Sequence, residues 1–351
     1  MNIILIILVF GVIVFFHELG HFIVAKLNKV AVTEFSIGMG PAIFSLKRKE
    51  TKYSLRILPI GGYCMMDGEN GESDDENSFN NKPVWVRMLV VLAGPFFNFI
   101  LAFIFGVILI HYTGYDPSVF SNVMENSPAE MAGIEPGDKV IRINGDKVYN
   151  YREFLLFMQL NCDSDDPIAL VMEKPDGTRY DAVITPRITT EGVYIIGVSG
   201  GYIESPNFAN DVKYGALELR YWMKATALSL KMIFTGQVKS DDIMGPLGVG
   251  GAMNDVIEEV KEESPTKKDA VINILLNMMN WCILLSVNLG IMNLLPIPAL
   301  DGGRFLFLLI EAVRRKKIPQ DKEAIVNFIG FGLLMLLMVV VFFNDIKNVF
   351  F

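Results

Sequence analysis

The sequence is poor in the residues that most often bind metals or cross-link small folds: it has three cysteines and three histidines in 351 positions. Cys64, Cys162 and Cys282 are far apart, odd in number and without CxxC spacing. That excludes a disulfide framework and a cysteine zinc site. Charge is also scarce, with 20% charged residues and a formal net charge of −8. A nucleic-acid-binding chain needs concentrated basic surface, so that class is excluded. What is abundant is apolar: 52% hydrophobic residues and a mean hydropathy of +0.39. This composition directs attention to membrane segments.

Four such segments are present, at about Ile3 to Ala25, Met88 to Ile110, Ile272 to Leu295 and Ala324 to Phe343. Each is near the ~20 residues a helix needs to cross a hydrocarbon core of ~30 Å. The first has no basic leader and continues through His17, Glu18 and His21 without a small-residue cleavage site. It therefore predicts a retained span, not a removable signal. Residues 1–16 contain no lysine or arginine, whereas Lys26, Lys29, Lys47, Arg48, Lys49, Lys52, Arg56, Lys82 and Arg87 follow the first span. Arg314, Arg315, Lys316, Lys317 and Lys322 lie between the third and fourth, and the tail holds only Lys347. By the positive-inside rule both connecting loops are expected in the cytoplasm, with both termini and the second-to-third connection outside.

The outward segment predicts a small α+β domain followed by helices. Ser127-Pro128 offers a helix start, and Asn144-Gly145 a tight turn between two strands. A helix is expected over Tyr151 to Leu160 and a hairpin about Pro175-Asp176-Gly177. Tyr214 to Phe234 has the pattern of an amphipathic helix on the outer membrane surface. Gly245 to Met253 is too glycine-rich for a stable soluble helix and reads as a close-packed or hinge segment.

HELGH, His17 to His21, places two imidazoles four residues apart on one helix face. That spacing lets both hold one zinc ion, and Glu18 beside them can take a proton from an activated water. The bare pattern also arises by chance. Three ionisable groups within five positions of a membrane helix, however, are costly without a function. A catalytic zinc site has three protein ligands and one open position. His111 is a poor third ligand, at the outward end of the second span. Asp301, in NLLPIPALDGG, is the best carboxylate; the alternative is an aspartate that only starts the next helix. Pro296 and Pro298 break helical bonding just before it, an irregularity tolerated at membrane depth only inside protein or around a wet cavity. His17 lies some 14 residues, or ~21 Å, from the outer end of its span, and Asp301 follows the inward end of the third. The two motifs are thus expected at similar depth.

These residues resemble the site-2 protease superfamily over nearly the whole chain, in a form similar to the bacterial RseP/RasP type with a single PDZ domain. The resemblance is carried by HELGH, LPIGGYCMMDGE (Leu58 to Glu69), VLAGPFFNF (Val91 to Phe99), NSPAEMAGIEPGD (Asn126 to Asp138) and SVNLGIMNLLPIPALDGG. It implies a polytopic α-helical membrane protein of four transmembrane helices, with a membrane-dipping β-hairpin and an inserted α+β PDZ domain. The expected division is a core part at 1–110, including a β-loop at about 53–66, then PDZ at 115–200, linker helices at 201–270 and a second core part at 271–351. It implies an intramembrane zinc metalloprotease holding one Zn2+ through His17, His21 and Asp301, with Glu18 as general base. Asn293, more than Asn288, would hold the substrate backbone or oxyanion. Gly61, Gly62 and Tyr63 would receive the substrate as an added strand, and Gly94, Pro95 and Asn98 would pack near the metal. Expected partners are the lipid bilayer and single-span membrane proteins already trimmed by another protease, at the bacterial inner membrane. Two other classes are weighed. A silent PDZ scaffold with structural zinc would want a fourth ligand, and none stands at the right depth. A metal transporter would spread acidic or histidine residues over several spans, and here they gather at one point.

Overall fold

The computed structural model describes residues 2–69, 71, 73–162, 164–189, 192–201, 207–238 and 244–350. Along the chain it runs α1 (Asn2–Leu27), β1 (Val32–Arg48), β2 (Thr51–Met66), a 3-10 turn at Phe79–Asn81 and α2 (Val84–Thr113). Then come β3 (Asn122–Val123), α3 (Pro128–Met131), β4 (Lys139–Ile143), β5 (Asp146–Lys147), α4 (Tyr151–Asn161), β6 (Ile168–Glu173) and β7 (Arg179–Ile184). After β8 (Arg187–Ile188), β9 (Tyr194–Ile195) and β10 (Val198–Ser199) the rest is helical. The helices are α5 (Phe208–Phe234), α6 (Pro246–Glu263), α7 (Lys267–Leu294), α8 (Asp301–Arg314) and α9 (Gln320–Phe350). The chain forms two compact units, one of Met1–Phe105 with Trp222–Phe351 and one of Gly106–Tyr221.

Four helices in the described residues are long and apolar enough to cross a membrane: Asn2–Leu27, Val84–Thr113, Lys267–Leu294 and Asp321–Lys347. In the first unit, α1 buries one stripe, Val9, Ile13, His17, Gly20, His21 and Ala25. This follows from helical periodicity, because residues three and four apart share a face. A Cβ on Gly20 would stand 2.3 Å from the carbonyl oxygen of Ala93, so α1 and α2 touch backbone to backbone there. One apolar cluster joins α1 to the strands, α2 and α8 through Ala25, Val32, Phe35, Met66, Val90 and Leu308. Another joins it to α6 and α7 through Ile13, Leu101, Met253, Ile257, Met278 and Cys282.

The hairpin is longer than the expected 53–66 and begins at Val32. Its first strand doubles back at Gly38 and Gly40, both at φ +84°, a left-handed conformation that suits glycine. As a result Glu34–Ile37 pairs with Lys52–Leu55 on one side and with Gly62–Cys64 and Met65 on the other, while Ala42–Arg48 pairs with Thr51–Arg56. The early strand escapes a pattern-based reading because Gly38-Met39-Gly40-Pro41 looks like a chain break, not a corner within a sheet.

Two further expectations need correction. Arg87, read from sequence as a loop residue leading into the second span, lies within α2, buried and paired with Glu311 of α8. Gly245 to Met253 is not a hinge but the start of α6. Asp345, buried at the far end of α9, accepts hydrogen bonds from the backbone N–H groups of Gly245 (2.7 Å), Leu247 (3.0 Å) and Gly248 (3.0 Å). A carboxylate on a helix N-terminus satisfies donors the helix cannot use itself. The close packing does occur: Cβ atoms on Gly245 and Gly248 would meet the Asp345 carboxylate at 2.7 and 3.1 Å. Of the expected linker 201–270, residues 202–206 and 239–243 lie outside the described residues.

The second unit holds a four-stranded sheet ordered β5-β4-β6-β7, with the pairs β10-β3 and β8-β9 beside it. Asn144 and Gly145 both take positive φ in the β4–β5 turn, and Gly177 does so between β6 and β7. Asn150 caps α4 by accepting from the Glu153 N–H at 2.9 Å, and Ser127 caps α3 by accepting from Glu130. The core collects Phe120, Ile134, Val140, Phe154, Leu170 and Met172.

Replacing Asp345 by alanine removes three hydrogen bonds from the α6 N-terminus and is expected to cost about 1–2 kcal/mol. Denaturant titration in mixed micelles measures this, with Asp345→Asn falling between alanine and the native chain.

Candidate metal centre and active site

His17 and His21 project from the buried stripe of α1, and Asp301 opens α8 after the irregular turn Leu295–Leu300. Leu300, not Asp301, occupies the cap position of that helix, and the Asp301 carboxylate turns to the imidazoles. Asp301 Oδ2 lies 3.2 Å from His17 Nε2 and 3.4 Å from His21 Nε2, and the two Nε2 atoms are 3.3 Å apart. Asp301 Oδ2 is buried and has no hydrogen-bond partner.

These distances test the fit of a zinc ion. Four ligands at the usual ~2.0–2.1 Å from tetrahedral zinc stand roughly 3.3–3.4 Å from one another. The three observed edges match one face of that tetrahedron. Among the described residues this is the only set of three or more histidine, cysteine or carboxylate side chains converging on a point. The set has three members, which leaves the fourth corner open.

The surrounding chain makes the convergence possible. A Cβ on Gly94 would stand 2.3 Å from His21 Nε2 and 2.8 Å from His17 Cε1, so only glycine lets α2 pass so close to both rings. Pro95 follows inside α2 and, lacking an N–H, leaves the Val91 carbonyl without its usual helical partner. His21 Nδ1–H donates to the carbonyl oxygen of Val90 at 2.8 Å. Asn98, fully buried, brings its side-chain amide within 3.2 Å of His17 Nδ1, while its Oδ1 has no partner. Ser286 of α7 donates to the Asn98 backbone carbonyl at 2.9 Å, tying a third helix to this point.

A cavity of about 230 Å³ opens on the three donors, lined also by Glu18, Tyr63, Glu69, Val91 and Arg304. Gly62 brings the last part of β2 against Glu18, since a Cβ there would lie 3.5 Å from Glu18 Cγ. Gly61 takes φ +86° beside Met39. Gly62–Met66 has ladder partners on one side only among the described residues. Asn288 accepts a hydrogen bond from Thr226 at 2.5 Å, and Asn293 is half-buried in the last turn of α7. Neither lines the cavity. His111 pairs with Asp211 at 2.9 Å in the other unit.

Glu69 and Arg304 were not singled out by sequence. They form an ion pair at the cavity wall, and Arg304 also donates to the Glu69 carbonyl at 3.0 Å. The available signal was spacing, because Arg304 follows Asp301 by three residues and so shares its helix face.

The model of peptidase family M50 matches residues 5–337. The chain belongs to peptidase family M50. Among its relatives, a protein of Clostridium acetobutylicum named as a putative zinc metalloprotease is 40% identical over 346 residues, covering 98% of this chain and 97% of the relative. The regulator of sigma-W protease RasP of Bacillus subtilis is 32% identical over 429 aligned positions, covering 98% of each. Among solved structures, the PDZ domain of the SdrC-like protein of Listeria monocytogenes is 20% identical, covering 24% of this chain and 88% of that one at a TM-score of 0.22.

Two substitutions probe the centre directly. Gly94→Ala is expected to leave well under one zinc per purified chain, measured by elemental analysis, with helical content unchanged by circular dichroism. Asn98→Leu, which cannot hydrogen-bond to His17, is expected to weaken zinc binding roughly 10–100-fold in chelator competition.

Proposed function

We propose that this M50 peptidase is a zinc-dependent intramembrane endopeptidase that hydrolyses peptide bonds within membrane-spanning segments of other proteins. The observation that carries the reading is the convergence of two imidazoles and one carboxylate, with no fourth protein ligand among the described residues, beside Glu18 and among membrane helices. His17 Nε2, His21 Nε2 and Asp301 Oδ2 hold one zinc ion per chain. When bound, the ion supplies the Lewis acidity that makes water a nucleophile at neutral pH.

The remaining work belongs to the protein's own groups. Glu18 takes the proton of the attacking water and returns it to the leaving amine. For both imidazoles to offer Nε2 lone pairs, each Nδ1 must carry its hydrogen. His21 gives that hydrogen to Val90 O, and His17 gives it to Asn98 Oδ1 once the carboxamide is turned over. Asn98 therefore positions a ligand as well as packing. Asn293, free of the Thr226 contact that occupies Asn288, holds the substrate backbone or the oxyanion.

A helical substrate hides its carbonyls in i to i−4 hydrogen bonds and must unwind before attack. The free edge of Gly62–Met66, lying against Glu18, receives the unwound strand by β-augmentation, with Gly61, Gly62 and Tyr63 at its start. The hairpin dips into the membrane from the cytoplasmic side. The α+β unit, a PDZ domain, stands outside and admits single-span proteins already trimmed by another protease. The lysine and arginine distribution supports that orientation at the inner membrane. A scaffold with structural zinc would close the fourth corner with protein.

Glu18→Gln is expected to lower cleavage of a transmembrane substrate about 10²–10⁴-fold while zinc content stays at one per chain. Full activity in that variant would remove the protease reading.

A further inference from the structure

The β1–β2 hairpin has two free edges, and the reading above uses one. The other, Ala42–Arg48, pairs only with Thr51–Arg56. Nothing among the described residues covers it: Ile43 is 65%, Phe44 62% and Leu46 55% exposed, and Leu55, Ile57 and Leu58 on the paired strand are 47–55% exposed. At its tip Lys47, Arg48 and Lys49 are exposed and have no ion-pair partner among the described residues, while Lys52 lies 3.5 Å from Glu34. Lys49 is the first residue of the turn and stands at φ +53°, where a glycine would be easier.

Depth decides what this surface meets. Glu50, at the tip, pairs with Lys26 at 2.6 Å, so the tip is level with the cytoplasmic end of α1. Glu18, against which Gly62 packs, lies eight residues earlier on α1, about 12 Å deeper. The apolar arm runs between these two levels, and its seven-residue outer strand is roughly 20 Å long. An uncovered apolar arm ending in three unpaired cations at the interface has the chemistry of a lipid contact. The cytoplasmic leaflet, which carries anionic headgroups, is its complement.

We infer that the outer half of the hairpin is an anionic-lipid anchor: Ile43, Phe44 and Leu46 lie among acyl chains, and Lys47, Arg48 and Lys49 hold negatively charged phospholipid headgroups. The inference rests on the orientation given above and adds a partner to the same hairpin. Its consequence is positional, because the sheet gripped by lipid at one edge presents Gly62–Met66 to substrate at the other. Basic residues near span ends also set insertion topology. A folded, reconstituted protein no longer depends on that role, so the two are separable.

The test places a photo-reactive benzoylphenylalanine at Phe44 of the full chain, reconstituted in bilayers of equal phosphatidylcholine and phosphatidylglycerol. Mass spectrometry then identifies the adducts. The native tip is expected to give lipid adducts enriched severalfold in phosphatidylglycerol, each basic side chain near the surface contributing up to about fivefold. Lys47→Gln with Arg48→Gln and Lys49→Gln is expected to return the adducts to the bulk ratio. Adducts at the bulk ratio in the native chain overturn the inference, as do adducts to a second copy or, for a probe that faces water, no lipid adduct at all. Cleavage measured in the same bilayers keeps the two readings apart: enriched adducts without cleavage leave the anchor standing and sink the protease.

Discussion

Two imidazole nitrogens and one carboxylate oxygen are brought within 3.2–3.4 Å of each other from helices at opposite ends of the chain. Such a grouping, with neutral imidazoles, points three lone pairs at one place and suits a divalent cation. Much of the first unit can be understood as meeting this demand. Gly20 lets α2 touch α1, Gly94 lets it pass beside the rings, and the turn before Asp301 delivers a carboxylate where a continuous helix would have carried it past.

An apolar solvent sharpens the same demand. Within a bilayer, polar groups must be satisfied by protein or by a wet cavity. Arg87 and Glu311 satisfy each other, Ser286 serves the Asn98 carbonyl, and Asp345 serves three amides of α6. Among the described membrane helices, Asn280 Oδ1 is buried without a partner, as are Asp301 Oδ2 and Asn98 Oδ1, and the latter two lie beside the paired imidazoles.

What was legible in the sequence follows from the range of each signal. HELGH is a local pattern on one helix, and hydropathy finds spans because lipid imposes a length. Asp301 could be paired with HELGH across the chain because depth gave a second coordinate. The hairpin was recognised only in part, since its corner at Gly38 and Gly40 brings together segments that no local periodicity connects. The helix at Pro246–Glu263 contradicts its own glycine content because its support comes from Asp345, about a hundred residues away. Arg304 and Glu69 meet across 235 residues, and their contact depends on how the loop after β2 returns to α8.

The separation of His21 from Asp301 by 280 residues also sets a clock. At about 5–20 residues per second, a ribosome needs roughly 15–60 s after making the histidines before the aspartate exists. The nascent chain thus spends most of its insertion without the third of the converging donors. The three donors that converge on one point are therefore complete only as about the last seventh of the chain is being made.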